Sequence, residues 1–143
     1  LDRCEVAQIP CSALFELAGA GPALRTAMWT DMLIDGSIFR EWVVNVGRRD
    51  SRARIAHLLC ELVVQLKSIH ADHDGVFDFP ITQEQLADAT GLTAVHVNRT
   101  LQALRKDGLI QLGARSLKVP DWEKLCDVAD FDELYLHQAA AAA

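Results

Sequence analysis

No stretch of this 143-residue chain is apolar for long enough to cross a bilayer, although half of its residues are hydrophobic. Nor does it open on a basic and then apolar leader with a cleavage site. The four cysteines, Cys4, Cys11, Cys60 and Cys126, show no pairwise metal-ligand spacing, so reduced thiols in a cytoplasmic protein are expected. Cys60 falls on the apolar side of a helical segment, where it behaves as a small hydrophobe. There is no Ser-His-Asp arrangement and no phosphate-binding glycine loop, so no catalytic residue and no cofactor is assigned. Cation excess is missing too: the net charge is −6, which at first argues against a polyanionic partner.

The distribution of charge reverses that argument. Residues 40–67 carry six basic side chains against Glu41, Asp50 and Glu61, and residues 81–120 carry five against Glu84, Asp88 and Asp107. The acid lies at the two ends and in the segment 68–80. Local field, not net charge, governs an encounter with phosphate. The excess is small, so binding is expected to need two copies of the module.

One basic stretch has an organised pattern, Thr82 to Ile110: TQEQLADATGLTAVHVNRTLQALRKDGLI. Thr82 and Gln85 have capping-box spacing, and Leu86, Ala87 and Ala89 are expected to give a short first helix its buried side. Gly91 supplies a turn, and Thr93 caps a second helix over about 93–106 whose apolar residues are Val97, Leu101 and Leu104. Gly108, after Arg105 and Lys106, stops it. The opposite face carries Val95, Asn98, Arg99, Gln102, Arg105 and Lys106. Arginine can take guanine O6 and N7 together, and asparagine or glutamine can take adenine N6 and N7. Periodicity alone leaves a polar surface helix of a small bundle equally open. The short spacing from Ala87 to Gly91, Thr93 at the second start and the strand-like segment after Gly108 favour a helix-turn-helix.

At these residues the chain resembles the DNA-binding half of Crp/Fnr-type regulators, the cyclic-AMP-receptor and fumarate–nitrate-regulator family. The likeness rests on ITQEQLADATGLTAVHVNRTLQALRKDGLI with a wing after it, and upstream on RDSRARIAHLLCEL, and it covers roughly residues 22 to 120. It implies a homodimer on an inverted repeat, with RNA polymerase as a protein partner. Arg99 matches the family's guanine-reading arginine, and Asn98 sits where other members touch bases. Val95 stands where the family often has a glutamate, so the site should differ at that step, valine being able to touch a thymine methyl. His96 lies at the margin, with phosphate, base-edge and packing roles open. Phe39 and Arg40 occupy places where cyclic-AMP-binding members put small hydroxyl residues, so cyclic AMP is not supported as effector. The clustered cysteines of the oxygen-sensing members are absent from these residues.

In chain order, Arg3 to Ile9 reads as a last strand of a preceding domain, and Cys11 to Ala18 as a short helix closed by Gly19 to Gly21. The chain opens at Leu1 without methionine and ends in Ala139 to Ala143, so an N-terminal portion is expected to be missing and the alanines are left out of the fold. Pro22 to Val46 reads as one long helix whose Leu24, Met28, Met32, Phe39, Trp42, Val43 and Val46 form a stripe, with Gly36 allowing close approach. A stripe without a neighbouring helix to cover it points to self-association through Met28, Met32, Gly36, Phe39, Val43 and Val46, or to packing against a missing sensor domain. Trp29, Met28 and Met32 could line an apolar effector pocket or simply pack.

Gly47 to Ser51 reads as a hinge before a helix from Arg52 to Lys67 with Ile55, Leu58, Leu59, Leu62, Val63 and Leu66 inside. Arg48, Arg49, Arg52 and Arg54 could meet phosphates or solvate the hinge. His70, His73 and Asp74 in the following loop have metal-accepting side chains, but no further ligand pair exists to complete a site, so no metal is assigned. Val76 to Phe79 is a short strand. Leu109–Leu112 and Leu117–Val119 flank a Gly-Ala-Arg-Ser turn, the wing, with Arg115 and Ser116 at its tip. Asp121 caps a helix with Trp122, Leu125 and Val128, Asp130 and Glu133 have a second capping-box spacing, and these last elements are expected to cover the wing.

The expected fold is mainly α with a small β wing. It comprises a sensor remnant (1–21), a dimerisation helix (22–47), a winged helix-turn-helix domain (48–138) and a terminal alanine run (139–143). Base reading is expected from Val95, Asn98, Arg99 and Gln102, and backbone positioning from Thr82, Thr93, His96, Arg105, Arg115 and Ser116. The partner is double-stranded DNA, with no membrane. The rivals are a protein-binding helical module and a metal-dependent enzyme using the His70/His73/Asp74 loop.

Overall fold

A computed structural model describes residues 5–69 and 75–137 of the chain. Six α-helices occur among them: α1 (Cys11–Ala20), α2 (Pro22–Arg48), α3 (Ser51–Ile69), α4 (Gln83–Thr90), α5 (Ala94–Lys106) and α6 (Trp122–Ala129). Three strands, β1 (Val76–Asp78), β2 (Gln111–Leu112) and β3 (Ser116–Lys118), and a terminal 3-10 turn, Glu133–Leu136, complete them. The mainly helical architecture with a small sheet is the one expected.

α3 is the centre of the molecule. Every residue from Ile55 to Glu61 is buried, so this helix is covered on all sides and not on one stripe. α5 and α6 lie against it, α4 touches its start, and Ile55, Leu59, Leu86, Leu104, Ile110, Leu117 and Leu125 meet in the core, each fully buried. Burial of each such side chain contributes about 1.5–3 kcal/mol relative to leaving it in water. The sheet has the order β1-β3-β2, all antiparallel, with Leu117 of β3 opposite both Phe77 and Leu112. Along β1, Phe77 points inward while Val76 and Asp78 face out, the alternation a one-sided sheet requires.

Several expectations change. Residues 5–10 form no strand and are exposed, while residues 1–4 lie outside the described segments. α2 runs through Gly47 to Arg48, so the break falls on Arg49 and Asp50, and Asp50 caps α3 by accepting from Ala53 N at 2.8 Å. Ala89 is exposed; the residue that closes the inner side of α4 is Thr90, whose hydroxyl is satisfied by donating to the Leu86 carbonyl at 2.6 Å. Asp130 does not start the last turn but ends α6 in the left-handed region (φ 48°), and Asp132 supplies the cap instead, accepting from Leu134 N at 2.9 Å. α6 covers α3, and the terminal turn packs against α2, so neither is chiefly a lid on the wing. Ser116 belongs to β3, half-buried opposite Asp78, and not to the wing tip. Trp42 leaves the outer stripe of α2 and turns inward, its indole N–H donating to Glu61 at 3.2 Å.

α1 folds back on α2, and Leu14, Phe15, Ala18, Met28, Trp29 and Met32 line an apolar cavity of about 360 Å³ between them. Among the described residues no helix is long and apolar enough to cross a membrane.

Candidate nucleic-acid interface

The helix-turn-helix is built by local chemistry. Thr82 Oγ1 accepts from Gln85 N at 3.2 Å while Gln85 Oε1 accepts from Thr82 N at 2.9 Å, a complete capping box. Gly91 (φ 66°) ends α4 in the left-handed region, a conformation that costs glycine little. Two residues later Thr93 Oγ1 accepts from His96 N at 3.3 Å and starts α5. Val97, Thr100, Leu101 and Leu104 seal the inner side of α5, and Gly108 (φ 72°) lets Leu109 N reach back to the Leu104 carbonyl at 3.0 Å.

The outer side presents Val95 (73% exposed), Arg99, Gln102, Arg105 and Lys106 to solvent, with Asn98 half-buried among them. Asn98 donates to Gln83 Oε1 at 2.9 Å and accepts from Gln102 Nε2 at 2.9 Å. The three amides form a chain from the start of α4 along α5, and each keeps polar groups for a further partner. Arg99, Arg105, Lys106 and Arg115 make no ion pair among the described residues, so their charge is uncompensated.

The basic cluster at the start of α3 divides. Arg52 pairs with Asp107 at 2.6 Å, and Arg54 donates to the Thr90 and Arg49 carbonyls, each at 3.0 Å. These two arginines moor α5 and α4 to α3. Arg49 is also structural, its side chain only 8% exposed and paired with Glu41 at 2.7 Å. Of the four, Arg48 alone stays in solvent. His96 Nε2 lies 2.8 Å from Ser51 Oγ, a contact that orients the ring toward α3. Arg115 is exposed in the turn between β2 and β3, where Gly113 N donates to the Ser116 carbonyl at 2.8 Å. A Cβ on Gly113 would meet Ser116 Oγ, a clash that rotation of the serine side chain relieves.

Of the residues expected at an interface between copies, Met32 (67% exposed), Phe39 (76%), Val43 (67%) and Val46 (43%) are open, whereas Met28 and Gly36 are half-buried. With Trp29 added, the positions 29, 32, 36, 39, 43 and 46 step by three and four along one side of α2, the seam of a heptad. The stripe expected from the sequence takes Met28 and omits Trp29, which is 61% exposed. Sequence reading also missed Gln83, which stands fifteen residues before its partner Asn98 and carries no signal of its own. Among the described residues no group of three His, Cys, Asp or Glu side chains could hold a metal ion, and His70, His73 and Asp74 lie outside them.

Residues 53–128 match the family described as the Crp-like helix-turn-helix domain. The transcriptional activator protein FnrL of Cereibacter sphaeroides is 38% identical over 97 residues, 65% of this chain and 39% of FnrL. The nitrogen fixation regulation protein FixK of Azorhizobium caulinodans is 28% identical over 112 residues, 78% of this chain and 45% of FixK. The structure of FixK2 from Bradyrhizobium japonicum superposes with a TM-score of 0.72 at 23% identity, covering 82% of this chain and 57% of that one, a likeness of fold. The chain spans half or less of the length of the curated relatives it matches. A helix-turn-helix with a wing, matched over more than half of its residues, places this chain in the Crp/Fnr family of transcription regulators.

Proposed function

We propose that this chain is the DNA-binding part of a cytoplasmic transcription regulator that acts as a homodimer on an inverted repeat, α5 lying in the major groove. The observation that carries the reading is the outer face of α5. It joins unpaired Arg99 to the bonded amides of Asn98 and Gln102 on a helix whose other face is sealed in the core. Arg99 takes a guanine, Asn98 and Gln102 take adenine or a neighbouring edge, and Val95 meets a thymine methyl. Arg105 and Arg115 take phosphates on either side. Thr82 and Thr93 spend their lone pairs on caps, which leaves each hydroxyl hydrogen for a phosphate oxygen. His96 and Ser116 hold the edge of the surface, His96 through Ser51. The exposed heptad side of α2 supports pairing of two copies. In the dimer proposed, the two α5 helices enter successive major grooves about one turn of duplex apart. RNA polymerase is the protein partner that the family resemblance implies.

The test is fluorescence anisotropy with labelled random-sequence duplex at low and rising salt, followed by selection of bound fragments from random DNA. Binding that falls with the logarithm of salt, and an inverted repeat among the selected fragments, is the expected outcome. No binding at low salt would remove the reading.

A further inference from the structure

The family match ends at residue 128, yet the chain continues into a segment that contributes to a buried polar network around the α2–α3 break. Arg49, at that break, pairs with Glu41 of α2 at 2.7 Å and donates to the Asp130 carbonyl at 2.7 Å. His57 of α3, fully buried, places Nε2 3.1 Å from the same Glu41 oxygen. The Tyr135 ring stacks on His57 at 5.7 Å, and Phe131 meets it edge-on at 5.2 Å. One turn further along α3, buried Glu61 accepts from Trp42 of α2 at 3.2 Å and from the Tyr135 hydroxyl at 2.7 Å. Of the two carboxylates, Glu61 on α3 is satisfied in part by Tyr135, while Glu41 on α2 is held by Arg49, which itself donates to the Asp130 carbonyl.

A joint needing only adhesion would be filled with leucine. Buried charges held by directional donors cost more if misaligned, because a shifted helix leaves one of them unpaired. The arrangement thus favours one angle between α2 and α3 over neighbouring angles. α5 follows α3 as a body through the Arg52–Asp107 pair and the His96–Ser51 contact. In a dimer built on α2, the angle between α2 and α3 sets how far apart and how tilted the two α5 helices stand.

We infer that residues Asp130–Leu136 are a strap that fixes the α2–α3 angle, with Tyr135 as its positioning residue, and that the strap decides which half-site spacing the dimer accepts. This rests on the inverted-repeat reading above. Tyr135→Phe removes one hydrogen bond and keeps the ring on His57; Glu61→Gln keeps the shape and removes the charge. The full chain and both variants are titrated with the selected inverted repeat, with versions whose spacer is a base pair or two longer or shorter, and with a duplex bearing a single half-site. The native chain should favour one spacer. In both variants that preference should narrow by roughly tenfold, the scale of one hydrogen bond to a charged group, with single-half-site affinity unchanged. An undiminished preference in both variants would overturn the strap. Should the native chain rank all spacers alike, the inverted-repeat reading fails instead, and amide hydrogen exchange then decides the strap. Faster exchange across residues 46–54 with α5 unchanged upholds it, and no change there overturns it.

Discussion

The side-chain amide of Asn98 donates to Gln83 at 2.9 Å, so the first helix of the motif holds a side chain of the second in place. On the proposed reading, in which Asn98 meets a base edge, its amide plane must be fixed before DNA arrives, and the bond to Gln83 fixes it. Gln83→Ala should therefore relax discrimination at the base Asn98 meets while leaving stability within about 0.5 kcal/mol, as for other surface changes. Competition binding against single-base variants of the site, beside a thermal melt, checks both halves.

Arg99 and Arg115 should separate cleanly. Arg99→Ala costs roughly 1–3 kcal/mol of discrimination at one guanine, whereas Arg115→Ala weakens all sequences alike and lowers the salt slope by about one. Equal loss on every DNA after Arg99→Ala would remove its base-reading role.

Leu104 is fully buried between α5 and the centre of the core. Leu104→Ala leaves a cavity among side chains that cannot all collapse into it, with a cost of about 2–5 kcal/mol. Denaturant unfolding measures it, and DNA binding should fall only as far as folding does.

Stability should depend on pH through His57. Burial, and then the Arg49 guanidinium, press its pKa down from 6.5 to about 4 against the opposing pull of Glu41. The native state thus refuses a proton that the unfolded chain accepts between these values. This stabilisation is whole above pH 6.5 and is lost as pH falls toward about 4, an amount on the order of 3 kcal/mol for a shift of this size. Unfolding free energies across that interval should slope in the native chain and flatten in His57→Gln.

Val43 is 67% exposed on the outer side of α2 and lies outside the packed core of the winged helix. Val43→Glu should abolish self-association and leave the melting of the DNA-binding part unchanged. Sedimentation equilibrium reads the first, and a folded monomer that still forms dimers at the native strength would refute the α2 interface.

The helix-turn-helix was legible because its determinants are local. A capping box, a glycine turn and apolar positions three and four residues apart act within one or two turns of chain, where sequence distance and spatial distance agree. Trp42 and Ala89 were misplaced, and Thr90 was passed over, because amphipathic periodicity assigns a side by residue type. In the folded chain Trp42 found Glu61 and Thr90 found a carbonyl within its own turn, and both could go inside. Arg48, Arg49, Arg52 and Arg54 read as one cluster that meets phosphate or solvates the hinge, yet Arg49 and Arg54 are held by Glu41 and by carbonyls.

By itself, then, the amino-acid order determined that α4 and α5 exist, where each starts and stops, and which face of α5 carries Arg99 and Gln102, because hydrogen bonds and side-chain period are settled within a few residues. Only the tertiary structure decided that α3 is buried all round, that Asn98 leans on Gln83, and that Tyr135 closes a network with Glu61. Those contacts join residues far apart in the chain, and burial of polar groups is tolerated only where the fold brings their partners together.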